Sequence, residues 1–373
     1  MKNKILNCDF LVVGAGLIGS LTAITLIKKK FKVVIVDKNN FQLSDQRTLA
    51  VNANSRAFLH DLGLWKKLEK KSEAIKKIII KDSINIEQLD FENGYEPMGS
   101  VIFNKDLLKI SHIELNKTKS LFKNISLSLA QLSVDQPINI QNQLYKFKKI
   151  ILTVGKKFIE NDEIKKISFN TQHQSYVGFF DHKNYHQNIA YEYFTDLGPL
   201  AVLPAPSKDK KLSTFILSTK NNYNYKQLNG LLKKYFNKTH GNFKLHNKIL
   251  KFPLSPHLSE TIKNNFFLIG DTLRSIHPVA GQGWNLGIKD IQDLCSIIDS
   301  YSLDFEGLEQ IYYSRRGVEN SVYISFTSVL NFLYDHPEGV NKKIIKLGFR
   351  SLLKFNFLRK LFIKQAMGTL KLI

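Results

Sequence analysis

Residues 9–19 read DFLVVGAGLIG and decide the fold of the chain. The apolar run from Phe10 to Val13 predicts a buried strand that ends at a glycine. Gly14 permits a tight turn, Gly16 leaves room for a pyrophosphate, and Gly19 lets the following helix pack closely on the strand. In such a unit the pyrophosphate lies at the N-terminus of the helix, on free N–H groups and the positive end of the helix dipole.

The residues after this motif extend it into a βαβ unit. A helix is expected from Leu17 to Lys29, followed by a strand from Lys32 to Val36 that leads into Asp37. A carboxylate at this distance binds the ribose hydroxyls of a dinucleotide. One alternative is a tight turn in an ordinary α/β unit. Another is a membrane helix or signal peptide, because residues 10–27 carry no charge. The spaced glycines and the strand that ends in an acid argue against both.

A second glycine motif, far along the chain, narrows the nucleotide to FAD. Residues 265–269 predict a buried strand that ends at Gly270, and the next residue, Asp271, can hydrogen-bond a polyol such as the ribityl chain of a flavin. The segment HPVAGQG follows at 277–283, and Gly281 begins a helix whose free N–H groups suit the pyrimidine edge of an isoalloxazine ring. We interpret His277 as a residue that orients the His-Pro turn rather than as a catalytic group.

The composition limits the classes of function. A chain of 373 residues can bury a large core and is expected to hold two interlocked domains. Its formal net charge of +22 comes from 54 Lys and Arg against 32 Asp and Glu, and the prevalence of lysine fits a drift in codon usage. Because no motif that reads nucleic acid accompanies this charge, we expect no nucleic-acid partner.

The two cysteines, Cys8 and Cys295, are too few for a disulfide framework or a cysteine metal site. We interpret both as small buried apolar residues, and we expect the protein in the cytoplasm. No cluster of His, Cys, Asp or Glu has convincing metal spacing in the sequence, so no metal is expected.

The rest of the pattern predicts a β-rich middle between helical segments. Helices are expected at 54–70, 104–116, 225–236, 285–298 and 306–336. Strands are expected at 78–80, 84–89, 124–129, 138–140, 149–154, 175–180, 189–194, 200–203 and 212–218.

Four segments, in order along the chain, carry a resemblance to a known family. They are DFLVVGAGLIGSLTAITL at 9–26, DQRTLAVNANSRAFLHDLGLW at 45–65, YEYFTDLGPLAVLPAP at 191–206 and FFLIGDTLRSIHPVAGQGWNLGIKD at 266–290. Together they resemble the ubiquinone-biosynthesis aromatic-ring hydroxylases of the 2-polyprenyl-6-methoxyphenol hydroxylase type, which are FAD monooxygenases with the para-hydroxybenzoate hydroxylase fold. The resemblance extends from Asp9 to about Arg316, and weakly to 366–368.

The resemblance implies an α/β fold with three parts. A Rossmann-like FAD-binding domain is expected over 1–72, 99–165 and 260–340, interleaved with a β-sheet substrate domain over 73–98 and 166–259. C-terminal helices complete the fold, with residues 341–373 as a basic amphipathic tail.

The resemblance also implies which residues bind FAD. Arg47 is expected to contact the cofactor from its loop, although a surface arginine is the alternative, and Asn104 is a weaker match to a polar residue near FAD. Trp284 departs from the smaller residue expected there and narrows the space near the ring. The full predicted set is Gly14, Ala15, Gly16, Leu17, Gly19, Asp37, Lys38, Arg47, Asn104, Gly270, Asp271, Gly281, Gln282, Gly283 and Asn285.

The activity implied is hydroxylation of the aromatic ring of a polyprenyl phenol in ubiquinone biosynthesis, through a flavin C4a-hydroperoxide formed with dioxygen. NAD(P)H is the expected electron donor, proteins of a ubiquinone-biosynthesis complex are expected partners, and no catalytic side chain is assigned. One alternative is a non-catalytic FAD-binding scaffold subunit of such a complex. A flavin reductase acting on isoprenoid double bonds is another.

One departure from the family pattern bears on the electron donor. The family carries an Asp-Gly motif after a strand near the middle of the chain, which touches the FAD pyrophosphate and helps with the nicotinamide cofactor. Here the strand that ends at Val154 runs into Gly155, Lys156 and Lys157. Reduction by NAD(P)H is therefore in question, and this departure motivates the scaffold alternative.

The tail is the candidate membrane contact. At helical spacing, Ile345, Phe349, Leu352, Phe355 and Phe362 lie along one face, and Lys342, Lys346, Arg350, Lys354 and Lys364 along another. This pattern fits a helix on an anionic membrane surface, which would place the protein peripherally at the inner membrane. The alternative is a helix packed on the protein with a solvated basic face.

Overall fold

The computed structural model describes residues 4–40, 45, 47–82, 87–94, 96–156, 164–169, 171–261, 265–276, 281–336 and 338–370. The strands are β1 (Leu6–Val13), β2 (Val33–Asp37), β3 (Thr48–Asn52), β4 (Glu73–Ile75), β5 (Lys77–Asp82), β6 (Glu87–Glu92), β7 (Gly99–Phe103), β8 (Leu121–Lys123), β9 (Ile138–Ile140), β10 (Gln143–Leu152), β11 (Ile164–Ser168), β12 (Gln174–His182), β13 (Ile189–Thr195), β14 (Gly198–Pro204), β15 (Leu212–Thr219), β16 (Phe243–Leu245), β17 (Leu250–Pro253), β18 (His257–Thr261), β19 (Phe266–Leu268) and β20 (Arg274–Ser275). The helices are α1 (Leu17–Lys28), α2 (Ala53–Asp61), α3 (Trp65–Leu68), α4 (Asn104–Lys117), α5 (Tyr225–His240), α6 (Gln282–Tyr301), α7 (Leu308–Asp335), α8 (Gly339–Lys354) and α9 (Asn356–Ala366), with short 3-10 turns at Glu69–Lys71, Leu129–Gln131 and Gly270–Thr272.

A parallel sheet gathers strands from distant parts of the chain. Its order is β19-β10-β1-β2-β8, with β9 paired antiparallel to β10. All five residues of β2 are buried, as expected of a strand covered on both faces. Helices α1, α4 and α6 contribute apolar residues to the same core as these strands. The predicted Rossmann-like α/β fold is confirmed.

A second, mostly antiparallel sheet stands apart from the first. Its order is β16-β12-β15-β14-β13-β5-β6, and β17 also pairs with β12. Helix α5 covers one face, where Phe180 stacks on Phe236 with ring centroids 4.3 Å apart. Its strands come from residues 77–92 and 174–253, while β4, just before them, pairs with β7 in a small sheet that also contains β3. The domain boundaries given above stay a prediction.

Two local predictions are wrong for identifiable reasons. The helix expected at 54–70 is broken into α2 and α3, because Gly63 adopts a left-handed conformation with φ of 71°. The strand expected at 124–129 is absent, since β8 ends at Lys123 and Asn124 is left-handed with φ of 58°. Asparagine tolerates this conformation better than most residues, so it ends the strand by turning the chain.

The C-terminal tail packs its predicted apolar face on the protein. Ile345 and Phe349 are buried in a cluster with Phe91 of β6, and the ring of Phe362 stacks on Phe91 at 4.6 Å. Arg359 Nη2 also donates to the carbonyl oxygen of Asp90, at 2.6 Å. For this apolar face of the tail, the structure therefore agrees with the alternative in which the helix packs on the protein.

The tail differs from the prediction in one further respect. Phe355 lies between α8 and α9, where the helix is interrupted, and its side chain is exposed instead of joining the packed face. Among the described residues, no helix is both long enough and apolar enough to cross a membrane.

Candidate functional site

The first glycine motif forms a tight turn between β1 and α1. Gly14 is left-handed, with φ of 104°, and its N–H donates to the carbonyl oxygen of Val36 at 2.8 Å. A methyl group on Gly14 would lie 2.5 Å from the Thr153 carbonyl oxygen, and one on Gly19 would overlap the Gly14 carbonyl oxygen. A methyl group on Gly16 would meet nothing within 4 Å. Gly14 and Gly19 are thus required by packing, whereas Gly16 borders open space at the start of the helix.

Asp37 fixes the shape of this turn. Its carboxylate accepts hydrogen bonds from Ala15 N at 2.7 Å and from Asn39 N at 2.8 Å. His112 on α4 lies with Nε2 2.9 Å from the Ala15 carbonyl oxygen, and burial lowers the pKa of this imidazole. Lys38 next to Asp37 is exposed. The predicted ribose carboxylate therefore also holds the pyrophosphate loop.

The second motif follows β19 as a short 3-10 turn. Gly270 is left-handed with φ of 67°, and its N–H donates to Asp290 Oδ2 at 2.9 Å. A methyl group on Gly270 would lie 3.2 Å from the Ile18 side chain, so the two glycine motifs meet through Ile18. Thr272 Oγ1 accepts from Gly155 N at 2.9 Å and ties this turn to the end of β10.

The environment of the Asp271 carboxyl is neither a closed core nor an open surface. Its side chain is accessible to solvent. Desolvation by surrounding protein nevertheless raises the pKa of its carboxyl, against the positive charges of Lys156, Arg274 and Arg47 among others. An accessible carboxyl that the protein largely surrounds lies in a cleft rather than on an open surface.

Helix α6 begins at Gln282, directly after its N-cap Gly281, which is left-handed with φ of 62°. Asn285, one turn later, uses its amide to join α6 to β3: Nδ2 donates to the Ala50 carbonyl oxygen at 2.9 Å, and Oδ1 accepts from Asn52 N at 3.1 Å. Its side chain therefore positions the helix. A methyl group on Gly283 would meet nothing within 4 Å, so the first turn of α6 borders open space, as Gly16 does.

Arg47 belongs to a polar triad at the edge of the cleft. Its guanidinium makes a two-point contact with Asp45, from Nε at 2.9 Å and from Nη2 at 2.7 Å. Burial alone would raise the pKa of the Asp45 carboxyl, but hydrogen bonds and charge from Arg47 lower it. Asn104 Nδ2 also donates to Asp45, at 3.1 Å, while Asn104 Oδ1 is buried with no protein partner.

A cavity of ≈ 250 Å³ lies between this triad and the second sheet. Its walls include Arg47 and Asp45 on one side and Val177, Phe179 and Phe252 on the other. The Arg47 guanidinium sits 5.3 Å from the centre of the Phe252 ring. The cavity thus combines aromatic surface with a cation, which suits an aromatic ring bearing oxygen substituents.

The residues predicted to bind the cofactor fall into three connected groups. One is the first turn with Asp37, the second is the Gly270-Asp271 turn with the start of α6, and the third is Arg47 with Asn104. Ile18 joins the first two. The hydrogen bonds that Arg47 donates to Asp45 raise the pKa of the guanidinium, and the negative charges of Asp45 and Asp271 raise it further. His277 lies outside the described residues.

These groups fit FAD in three respects. Open space borders the backbone at Gly16 and Gly283, where a pyrophosphate and a flat ring need close approach. The Asp271 carboxylate is accessible within a protein-lined cleft, as a ribityl contact requires. The buried and unpartnered Asn104 Oδ1 can accept a hydrogen bond from a ligand. The assignment of individual residues to parts of FAD stays a prediction.

Three supporting residues were not found from the sequence. Asp290 accepts from the cofactor turn, His112 faces the Ala15 carbonyl, and Thr153 Oγ1 donates to the Gly14 carbonyl oxygen at 2.7 Å. Asp290 follows the segment WNLGIK in an amphipathic helix and looks like a surface acid. Its contacts with the turn involve residues twenty apart in sequence, which no local pattern reports.

No Asp-Gly pair follows β10 in this chain, where the sequence runs through Val154, Gly155 and Lys156. Val154 is 41% exposed, and Gly155 is left-handed with φ of 76°. Lys156 follows and contributes positive charge toward Asp271.

Comparison with known proteins agrees with this geometry. The family described as FAD binding domain matches residues 7–111 and 249–301. The ubiquinone hydroxylase UbiL of Rhodospirillum rubrum is 24% identical over 98% of this chain and 90% of that protein, and UbiM of Neisseria meningitidis is 22% identical over 97% and 85%. The structure of p-nitrophenol 4-monooxygenase PnpA from Pseudomonas putida superposes with a TM-score of 0.76 at 13% identity, over 99% of this chain and 100% of that one.

Gly16 and Gly19 of the first motif predict different effects of one added methyl group. Gly16→Ala is expected to fold normally but to weaken FAD binding by about tenfold, because the methyl enters the pyrophosphate space. Gly19→Ala is expected to destabilise the protein by about 1–3 kcal/mol through overlap with the Gly14 carbonyl. Thermal unfolding of the apoprotein and FAD titration measure the two effects. Gly230→Ala, in open space on α5, is the matched control, and normal FAD binding by Gly16→Ala would contradict the assignment.

Proposed function

We propose that this chain, which is similar to UbiL and UbiM over nearly its whole length, is an FAD-dependent hydroxylase of ubiquinone biosynthesis that hydroxylates the aromatic ring of a polyprenylated phenol. The observation that carries this proposal is the position of the aromatic cavity. It is lined by Arg47, one of the residues predicted to contact FAD, and by Asp45, which accepts a hydrogen bond from Asn104, another residue of that predicted set. A phenol held there would lie next to the cofactor.

The residues of the cavity suggest how a phenol is held. Phe179 and Phe252 offer aromatic surface for a ring, and Arg47 and Lys248 offer positive charge for its oxygen substituents. Reduced FAD held in the cleft would supply the two electrons that activate dioxygen, so that one oxygen atom could be transferred to the ring and the other released as water. The Asp45 carboxylate holds the Arg47 guanidinium in place through two hydrogen bonds, so the cation keeps its position.

The first turn of α6 supports the reduced state of the cofactor. Free N–H groups at a helix N-terminus favour negative charge, which grows on the flavin ring as it is reduced. Gly281 and Gly283 let the backbone approach the ring, and Asn285 anchors that turn to β3. We assign these residues the role of stabilising the anionic ring.

The substrate is expected to carry a polyprenyl chain, which places the reaction at a lipid surface. UbiL and UbiM, which are similar over nearly the whole chain, are named ubiquinone hydroxylases. A polyprenyl chain partitions into a bilayer because each buried methylene contributes about 0.8 kcal/mol. A peripheral position at the inner membrane, in contact with other proteins of the pathway, would bring enzyme and substrate together.

Hydroxylation is tested directly with the FAD-loaded protein. We expect a prenyl phenol with a short chain to gain one oxygen atom from isotopically labelled dioxygen, detected by mass spectrometry, with consumption of an electron donor. Omission of the donor is the control. If neither NAD(P)H nor a partner reductase reduces the flavin, the chain is a scaffold subunit, and if the product gains hydrogen without oxygen, it is an isoprenoid reductase.

The missing Asp-Gly pair after β10 predicts that NAD(P)H reduces the flavin slowly. One substitution is expected to raise this rate. Val154→Asp creates an Asp-Gly pair with Gly155, whose backbone is left-handed with φ of 76°. We expect the rate of flavin reduction by NAD(P)H, followed by loss of flavin absorbance, to rise by about tenfold. Val154→Asn is the uncharged control of similar size. An unchanged rate in Val154→Asp would show that the missing carboxylate does not limit reduction.

A further inference from the structure

The outer face of α7 carries no charge over most of its length. Between Arg315 and His336, its exposed residues are all valine, serine or phenylalanine. They are Val318, Ser321, Val322, Ser325, Phe326, Ser328, Val329 and Phe332. Phe326, Val329 and Phe332 are each more than half exposed. In a chain with 23% charged residues, such a face requires a partner other than water.

Helix α8, which follows α7, also exposes apolar side chains and adds positive charge. It packs on α7 through Ile345 and Phe349, which share a buried cluster with Leu333 and Tyr334. Its outer residues include Val340 and Leu347, exposed by 69% and 67%, and Ile344. Lys342, Lys343 and Lys346 are exposed among them, and residues 339–373 contain no Asp or Glu.

We infer that the outer faces of α7 and α8 form a docking surface for a bilayer of anionic phospholipid. This surface consists of Val322, Phe326, Val329 and Phe332 on α7, with Val340, Ile344, Leu347, Lys342, Lys343 and Lys346 on α8. Apolar side chains enter the interface between headgroups and acyl chains, and the lysines contact lipid phosphates. It differs from the face that the sequence suggested, which packs on β6. The choice of lipid as partner rests on the proposed function.

Charge favours a bilayer over a second copy of the chain at this surface. The protein has a formal net charge of +22, so two copies repel each other, while an anionic bilayer attracts each of them. Each lysine near an anionic surface contributes about 1 kcal/mol of attraction. The exposed acid of this region is Glu338, at the junction of the two helices.

The inner side of α7 links this surface to the cofactor site. Tyr312 Oη donates to the Leu268 carbonyl oxygen at 3.0 Å, and Leu268 N donates to Tyr313 Oη at 2.9 Å. Arg316 Nε donates to Asp290 Oδ1 at 2.7 Å, and Asp290 accepts from the Gly270 turn. The cofactor turn and the docking surface therefore contact the same helix, and at a rise of 1.5 Å per residue the surface begins about 9 Å along the axis from Arg316.

The test uses the full-length FAD-loaded protein and vesicles that contain phosphatidylglycerol. One variant combines Phe326→Ser, Val329→Ser and Phe332→Ser, and another combines Lys342→Glu, Lys343→Glu and Lys346→Glu. We expect co-sedimentation with the vesicles to fall by about tenfold or more in each variant, and added salt to weaken wild-type binding. Vesicles of phosphatidylcholine should bind less.

Matched controls change equally exposed residues elsewhere. Ile113→Ser with Ile167→Ser removes other exposed apolar side chains, and Lys66→Glu with Lys70→Glu reverses other exposed charges. Both controls are expected to bind as wild type does. The inference would be overturned if the control variants lost as much vesicle binding as the surface variants. It would also be overturned if the wild-type protein did not bind anionic vesicles.

Two further measurements separate this surface from the proposed function. In the surface variants, FAD content and the rate of hydroxylation of a short-chain phenol in detergent should be unchanged. Unchanged values would show that the variants fold, and that vesicle binding can be judged separately from hydroxylation. Light scattering gives the oligomeric state. A wild-type dimer that the serine variant converts to a monomer, with vesicle binding unchanged, would assign the α7 face to a second copy and refute bilayer docking.

Discussion

A buried carboxylate, Asp290, holds together the part of the molecule on which the cofactor site depends. It is fully buried, and it accepts hydrogen bonds from Gly270 N at 2.9 Å, from Arg274 Nη1 at 2.7 Å and from Arg316 Nε at 2.7 Å. A charge removed from water in this way is tolerated only when opposite charges and hydrogen bonds replace the lost solvation. Two arginines and a backbone N–H meet that requirement here.

The position of Asp290 explains why distant segments converge. It lies on α6, whose first turn borders the space predicted for the flavin, and it binds the turn after β19 and a residue of α7. Burial alone would lower the pKa of Arg316, but the carboxylates of Asp290, Glu319 and Asp293 raise it, so the guanidinium stays charged. The ion pair between Arg316 and Asp290 also helps to position α7, and so to determine which face of α7 is exposed to solvent.

The parts of the structure that the sequence predicts well are those with local causes. The glycines at 14, 16 and 19 act through their own backbone, so their turn and the following helix could be read from spacing alone. The breaks at Gly63 and Asn124 were missed because hydrophobic periodicity continues across them. For the tail, the pattern identified an apolar face but not its partner. Ile345 and Phe349 pack on the protein, and a face of α7 that was not considered is exposed instead.

The central claim is that Asp290 positions the turn that binds FAD, and FAD binding to Asp290→Asn apoprotein tests it most directly. The variant keeps the side-chain size but leaves Arg274 and Arg316 without their shared charge. We expect FAD affinity to fall by about tenfold or more and the free energy of unfolding by about 3–5 kcal/mol. Asp299→Asn removes an exposed carboxylate of the same helix, paired with Lys29, and should change neither. Wild-type FAD affinity in Asp290→Asn would contradict the claim.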